Sequence, residues 1–517
     1  MNKRSESNTL LWVGAILVLA LTFAAHLHGL GGQFVEWDDT NHITRNAAIR
    51  ALTFQNLRIM LAHPIAKLYC PLTWLSFAID YKTWGRDPFG YHLTNFLLHL
   101  GNTLLVLLLA RKVLTGRFKY PVLAAILTAA IFGVHPLRVE SVAWATERKD
   151  VLFAFFYLGA LLAYWRWVDT HKWRAYWICF GLFVASALSK STAVTFPLVL
   201  LVIDHLLVNR KAWEEKVPFF AVSLIITAVT YMAQAGGPSE TVAGLEIVPL
   251  WARPGLVGYC ALFYVKKFFW PFHLSAVYPG FGEMGWTALT SLGYFAGFAA
   301  ITAAIIAIRR RWPALLPAWL FYLVTLSPTI GLIPVGIHIV ADRFSYLPHI
   351  GLAFLVSMAV VWVIYSLPNT AARLAVGLTT VTILLTLAVL ADQRGAVWRD
   401  TGTLFLNALR EDPRCLPAHV NLTEWYTSRK EFDKAIDQGQ QAVAIAPDGI
   451  PGRKNLAYAL INNGQHREAV AVLKPLAQHD VQDADVWHAL ADCFEALGDT
   501  NNEKLARESQ RRCEGKL

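Results

Sequence analysis

The sequence predicts an all-helical protein in two parts: a polytopic membrane bundle of about eleven spans over residues 1–392, then a polar α-solenoid over 393–517. Three observations predict it. Of the 517 residues, 55% are hydrophobic and only 16% charged, whereas soluble globular chains carry about 25% charged residues. The charge is also uneven. The 125 residues from Gln393 onward hold 16 Lys and Arg with 18 Asp and Glu, an ordinary soluble composition, and the 392 before them hold 30 and 18. That leaves the larger part with about 12% charged residues, too few for a solvated surface. Finally, the polar part repeats itself every 34 residues. Fibrous, disordered and disulfide-scaffold classes are excluded. Cys70, Cys179, Cys260, Cys415, Cys493 and Cys513 show neither CxxC spacing nor a disulfide framework. The net charge of +10 comes from the membrane part, where it reports loop basicity, so no nucleic-acid partner is expected.

The first apolar run, Leu10 to Leu30, follows Lys3 and Arg4 and lacks a small-x-small cleavage site, which reads as an uncleaved anchor. Further spans are expected at 91–110, 120–135, 150–167, 174–190, 192–208, 217–234, 288–308, 313–330, 345–366 and 372–391. Basic clusters sit at Arg111, Lys112, Arg117 and Lys119; at Arg166, Lys172 and Arg174; at Arg210, Lys211 and Lys216; and at Arg309–Arg311. The positive-inside rule puts these, and the N-terminus, in the cytoplasm. Eleven spans then alternate consistently only if Trp251–Trp270 lies along the interface or re-enters. Its flanking aromatics and Lys266–Lys267 suit an interfacial helix. The polar tail consequently lies outside.

In that tail Asn421-Leu422 recurs as Asn455-Leu456 and then as Ala489-Leu490. The same step relates Pro413 to Pro447, Ala435 to Ala469 and Gly464 to Gly498. A helix–turn–helix period of 34 is the tetratricopeptide signature, and three units are about the minimum that stacks stably. The concave face of such a solenoid offers a surface to an acceptor peptide or partner protein, through residues the sequence does not single out. The plainer reading is that the repeats only stabilise or oligomerise the protein.

Charges near membrane segments are costly unless paired or facing a polar cavity. Three dense polar clusters fall on the outer face: Glu36-Trp37-Asp38-Asp39 with His42, Arg45 and Asn46; His135 through Glu140, then Glu147-Arg148-Lys149-Asp150; and Asp342 through Pro348. The opposite loops hold basic residues but nothing comparable in paired acids and Arg. Three sequence-distant loops on one side read as one site. Adjacent carboxylates supply a general base because like charges push their pKa values apart. Arg343 and Arg148 suit an anionic group held bidentately. A base beside a phosphate clamp at a lipid–water boundary fits transfer from a phosphate-linked lipid to a hydroxyl.

Duller readings stand beside these. Asp38-Asp39 can cap a short helix. Arg148 and Asp150 can pair with Glu147 and Lys149 at a helix entrance, and Asp342-Arg343 can be a local ion pair. His92, Asn95 and His99 share one helix face and read as helix–helix glue, not as metal ligands, because no carboxylate or cysteine completes a site.

The clusters, in this order and followed by the repeats, resemble the transmembrane and tetratricopeptide-repeat O-mannosyltransferases, multi-spanning glycosyltransferases of the GT-C fold. The matching stretches are Trp37-Asp38-Asp39 with Asn46; Gly90 through Asn95 and His99; His135-Pro136, Glu140, Arg148 and Asp150; Asp342-Arg343 with Tyr346-Leu347-Pro348; and Trp398 with Leu404-Phe405. The resemblance implies an inverting transferase using a polyprenyl-phosphate-linked sugar, without nucleotide-sugar or obligatory metal. It makes Asp38 the base on the acceptor hydroxyl and Asp39 its positioning partner. It has Arg343 and Arg148 hold the lipid phosphate, and Glu140, Asp150, Asp342 and Tyr346 complete the donor site. Where the family often has Tyr-Arg-Pro-Leu, this chain has Tyr69-Cys70-Pro71-Leu72, so donor contacts there do not carry over. The compact chain points to a bacterial relative, and hence to an inner (cytoplasmic) membrane protein with a periplasmic site and periplasmic repeats. The sugar is not identified. Two rival readings remain: a transferase acting on a lipid or surface polysaccharide, and a non-enzymatic repeat scaffold.

Overall fold

The computed structural model describes residues 3–235, 248–330, 339–478 and 483–515. Two compact units result, one of Met1–Leu274 with Tyr278–Arg399, the other of Ser275–Val277 with Asp400–Leu517. Among the described residues no strand forms beyond an isolated bridge between Ile65 and Leu68.

In the larger unit, eight described helices are long and apolar enough to cross a bilayer, or nine if a bent pair is one span. They begin with α1 (Lys3–Ala25), and the next helices in the chain are α2 (Phe54–Ala62), α3 (Pro71–Trp84), α4 (Pro88–Leu114) and α5 (Pro121–Val134). Each of the eleven expected spans coincides with a helix. Three fall short of the crossing length on their own: Trp173–Ser189, Leu315–Thr329 and Pro121–Val134, the last reaching it only together with the bent Pro136–Ala143. The stretch 251–270 forms Arg253–Phe269, which is not among the crossing helices. Leu256, Cys260, Tyr264 and Phe268 line its buried face, while Trp251 and Trp270 at its ends are exposed. Residues 236–247, which precede it, lie outside the described residues.

Two local features set up the site. Helix α4 starts with Asp87 accepting from the Phe89 amide and Pro88 in the first turn, a pre-organised N-terminus. Its apolar stripe is interrupted by His92, Asn95, His99, Asn102 and Thr103, all buried on one face, so this helix brings hydrogen-bonding groups inward. Helix α5 is rich in small residues that let its neighbours approach. A Cβ at Gly133 would lie 2.2 Å from the Thr22 hydroxyl of α1. Pro136 then forces His135 into extended geometry, and the chain turns by 59° into Pro136–Ala143. This bend carries Glu140 back into the bundle.

The basic loops gather at the far end of the 27-residue helix α4, about 40 Å from its start at 1.5 Å per residue. There Lys112 pairs with Asp169, Arg117 donates to the Leu207 carbonyl (2.9 Å), and Arg210 pairs with Glu215. This end differs from the expectation of unpaired basic loops. Lys216, with no exposed side-chain area, pairs with the equally buried Asp204, and Tyr164 donates to the same carboxylate at 2.6 Å. Sequence alone does not assign this pair, because Asp204 sits inside an apolar run, twelve residues before its partner Lys216 and six before the nearer Arg210.

The smaller unit is a stack of antiparallel helices: a leading helix Thr401–Glu411, then the pairs Leu416–Ser428 with Phe432–Ile445, Ile450–Asn462 with His466–Gln478, and Ala484–Ala496 with Thr500–Glu514. Leu456, Leu460, Leu473 and Leu490 form its core. The turn inside each pair uses a left-handed residue at the 34-residue step: Lys430, Gly464 and Gly498, with φ of 61°, 78° and 73°.

Candidate functional site

Asp38 and Asp39 open a helical turn after the first span, and their side chains differ. Asp39 is fully buried. One of its oxygens accepts from the Val35 amide (2.8 Å), the other from the Thr146 amide (2.9 Å) and the Thr146 hydroxyl. It therefore ties the first outer loop to the second. Burial pushes its carboxyl up to about 6, against the pull of those donors. Asp38 is half-buried, and among the described residues its carboxylate has no hydrogen-bond or ion-pair partner. Lys149 lies within electrostatic reach of it. Trp37 stacks on Trp144 at 4.8 Å, and Trp144 on Trp398 at 5.2 Å, an aromatic pile beside the turn.

Arg148 does not face a ligand space. Its Nη2 pairs with Asp80 (2.6 Å) and donates to the Tyr91 carbonyl (2.9 Å), its Nη1 reaches Ser76 (3.2 Å), and its Nε donates to Asn95. Four of five N–H donors are satisfied inside the protein, and the side chain has no exposed area. The expected phosphate-holding role of Arg148 is thereby corrected: this guanidinium braces helices α3 and α4 against the second outer loop. Asp80, its partner, is invisible in a motif reading because it sits in a largely apolar helix, 68 residues away.

The third loop is held from below by Arg138. This buried side chain donates to the carbonyls of Ser345 (2.8 Å) and Tyr346 (2.5 Å), and to the Ser345 hydroxyl (2.9 Å). Arg343 is presented by that loop. Its Nη1 pairs with Glu140, whose other oxygen accepts the Arg343 amide (3.1 Å), and its guanidinium lies over Trp144 at 5.5 Å. Asp342 accepts from Tyr278 (2.7 Å) and lies 3.7 Å from Arg394. Burial raises its pKa. It anchors the turn and is not among the residues that line the cleft beside Arg343. Tyr346 lines the same cleft as Arg343, with its hydroxyl spent inside the protein. The Gly133 carbonyl can only accept from His99 Nε2 (3.1 Å), so Nδ1 accepts from Tyr346 (2.8 Å) while Asn102 donates to Tyr346 (3.0 Å). His99 and Asn95 act as the interhelical glue their spacing predicts.

Asp150, Lys190, Thr192, Arg343 and Tyr346 line one narrow cleft with apolar and threonine walls. Asp38 is not among its lining residues. Asp150 pairs with Lys190 and accepts from the Ser141 hydroxyl (3.0 Å). Glu147 lies among three cations: Lys149 at 3.4 Å, Arg343 at 3.4 Å and Lys190 at 3.8 Å. Glu140, Glu147 and Asp150 are thus set against Lys149, Lys190 and Arg343. Sequence reasoning missed Lys190 altogether, although a signal existed. It is the only charge in the turn between the apolar runs 174–190 and 192–208, on the side where the three clusters were placed. Among the described residues no three His, Cys, Asp or Glu side chains are grouped to hold a metal ion.

Comparison with known proteins agrees with the motif resemblance. The tetratricopeptide-repeat family matches residues 428–493. The chain is 34% identical to the Drosophila melanogaster protein O-mannosyl-transferase Tmtc1 over 34% of its own length and 21% of that protein. It is 23% identical to Drosophila melanogaster Tmtc3, covering 78% of this chain and 51% of the relative, and 23% identical to Mus musculus TMTC3, covering 88% and 53%. The chain thus spans from about a fifth to about half of the length of these relatives. Among solved structures, ArnT from Cupriavidus metallidurans bound to undecaprenyl phosphate aligns over 80% of both chains at 13% identity, with a TM-score of 0.38. The chain is similar to the protein O-mannosyl-transferases, and it is a helical membrane protein carrying tetratricopeptide repeats.

Proposed function

We propose that the chain is a membrane glycosyltransferase that moves a sugar from a polyprenyl-phosphate-linked donor to a hydroxyl, that of Ser or Thr in an acceptor protein. The observation that carries this reading is Asp38: a half-buried carboxylate without a partner among the described residues, beside a cluster where every other acid is engaged. A base must keep a lone pair free for its substrate. The protein O-mannosyl-transferases it resembles act on proteins, as their names state.

In this reading Asp38 takes the proton of the acceptor hydroxyl as its oxygen attacks the anomeric carbon. The bond from that carbon to the phosphate oxygen breaks, the phosphate leaves with the electron pair, and the configuration inverts. Arg343, oriented by Glu140, stabilises the charge that develops on the phosphate. Asp39 contributes only by fixing the loop that bears Asp38. A monophosphate leaving group carries less charge than a diphosphate, so no obligatory metal is part of the proposal. The positive-inside rule puts Arg111–Lys119 and Arg210–Lys216 in the cytoplasm. The site then faces the periplasm of a bacterial inner membrane, and the repeats present the acceptor there.

Asp38→Asn tests the reading, because it keeps size and polarity but abolishes the base. Cells carrying it should lose the protein glycoforms that wild type produces, and in-vitro transfer should fall by about 10²–10⁴-fold, with membrane insertion and melting unchanged. Full glycoprotein modification by Asp38→Asn would reject the assignment. Loss confined to glycolipids would move the acceptor from protein to lipid.

A further inference from the structure

Three cations converge on one carboxylate in this site, and none of them holds it well. The Glu147 carboxylate lies 3.4 Å from Lys149, 3.4 Å from Arg343 and 3.8 Å from Lys190, beyond the 2.7–2.9 Å of a good charge-assisted hydrogen bond. Its buried Oε2 makes no hydrogen bond, and neither does the buried Thr192 hydroxyl across the cleft. A buried polar atom without a partner is costly unless something else satisfies it. Thr192 belongs to the cleft wall; Glu147 does not line the cleft but contacts Lys190 and Arg343, which do. Lys190, Thr192 and Arg343 line the cleft, with Asp150, Tyr346 and the hydroxyl-bearing Thr325 and Thr329 around them. Lys190 and Arg343 remain 17% and 11% exposed, unlike Arg148, which has no exposed area. The reachable positive charge is therefore on Lys190 and Arg343.

We propose that Lys190, Arg343 and the Thr192 hydroxyl form the binding site for a phosphate monoester or diester headgroup. The phosphate lies against the exposed edges of Lys190 and Arg343 and accepts from the idle Thr192 hydroxyl, while Glu147 keeps Lys149. Arg343 keeps its Glu140 partner, and Lys190 keeps Asp150. Both cations are thus held in place while they turn a second edge toward the anion. This inference deepens the proposed function, on which it rests. It names the residues that hold the donor's phosphate, replaces Arg148 by Lys190, and makes Lys190 and Thr192 positioning residues for the leaving group.

The test uses the full-length protein in nanodiscs with three probes: undecaprenyl phosphate, undecaprenol and inorganic phosphate. The variants are Thr192→Val, which keeps shape and removes the hydroxyl, and the charge-balanced pair Lys190→Gln with Asp150→Asn, which leaves no unpaired acid. Lys190→Arg serves as the conservative control. Wild type should bind undecaprenyl phosphate in preference to undecaprenol. Thr192→Val should weaken that binding about threefold to tenfold and the double variant at least tenfold, while undecaprenol binding stays unchanged and Lys190→Arg restores most of the loss. Equal undecaprenyl phosphate affinity in wild type and both folded variants overturns the inference and leaves the transferase reading standing. No preference of wild type for the phosphorylated lipid overturns both. Inorganic phosphate binding as tightly as the lipid phosphate overturns the assignment to a lipid-linked headgroup. If the double variant does not fold, Thr192→Val decides the matter alone.

Discussion

Replacing Arg148 by Gln separates a brace from a ligand-binding group. In wild type the guanidinium is buried with Asp80, which is only 7% exposed, and it also satisfies Asn95, Ser76 and the Tyr91 carbonyl. Gln reaches at most one of these and leaves the Asp80 carboxylate uncompensated in a low-dielectric setting. Breaking a buried pair by removing one partner costs about 3–5 kcal/mol. Against a total stability of about 5–15 kcal/mol, that is enough to lower the melting temperature markedly and to reduce the yield of inserted protein. Adding Asp80→Asn removes the stranded charge and should recover about half of the loss. Thermal unfolding in detergent followed by tryptophan fluorescence measures the stability, and undecaprenyl phosphate binding per folded molecule measures the ligand contribution. The expected result is a destabilised Arg148→Gln protein whose folded fraction binds the lipid within about threefold of wild type, since a tenfold loss corresponds to about 1.4 kcal/mol of direct contact. An Arg148→Gln protein that melts like wild type but has lost lipid binding would refute the brace.

Three further outcomes follow from the same geometry. Lys216→Met strands the buried Asp204 carboxylate at the opposite end of the bundle and should destabilise by about 3–5 kcal/mol, with Asp204→Asn added to it restoring stability; denaturation of the two variants side by side checks this. Asp39 has its carboxyl at about 6 in the folded protein against 3.8 ordinarily, so between these values the folded state holds the extra proton and wild-type stability falls as pH rises from about 4 to 6. Asp39→Asn should lack that slope, which paired melting curves across pH would reveal. In the repeats, Lys430 occupies the left-handed turn position that Gly464 and Gly498 fill in the next two units, so Lys430→Gly should stabilise that unit by up to about 1 kcal/mol and Gly498→Ala should cost about 1–2 kcal/mol, both read from urea unfolding.

How far the sequence reached depends on which physical signal each feature writes into it. Spans and repeats are periodic or compositional: each expected span coincides with a helix, though not each with one long enough to cross, and the 34-residue step picks out the turns at Gly464 and Gly498. The three outer clusters were legible as well, because charge beside apolar segments is rare and costly. What composition could not supply was pairing. Arg148 and Arg343 look alike in sequence, each beside acids at a membrane boundary. Their difference lies in Asp80 and Asn95, which α3 and α4 bring to one guanidinium and not to the other. The same holds for Tyr346, whose hydroxyl is consumed by His99 and Asn102 on a helix almost 250 residues earlier.

Chemical capacity in such a site is therefore a question of residual valence, not of residue type. Each guanidinium, ammonium or carboxylate brings a fixed number of donors or acceptors, and packing decides how many are left over. Asp39 has its two oxygens occupied by three donors, while Asp38 beside it has none among the described residues. Arg138 is committed to the backbone of the 342–346 turn, so that Arg343 need not be. The buried groups that surround the cleft thus do structural work that frees a few others, among them a lysine with no motif around it. Lys190 sits on a short turn between two spans, close enough to Asp150 to be held and exposed enough to bind something else. Residue type alone puts Arg148 and Arg343 on an equal footing; what each has left to offer separates them, and it brings in Lys190 and Thr192.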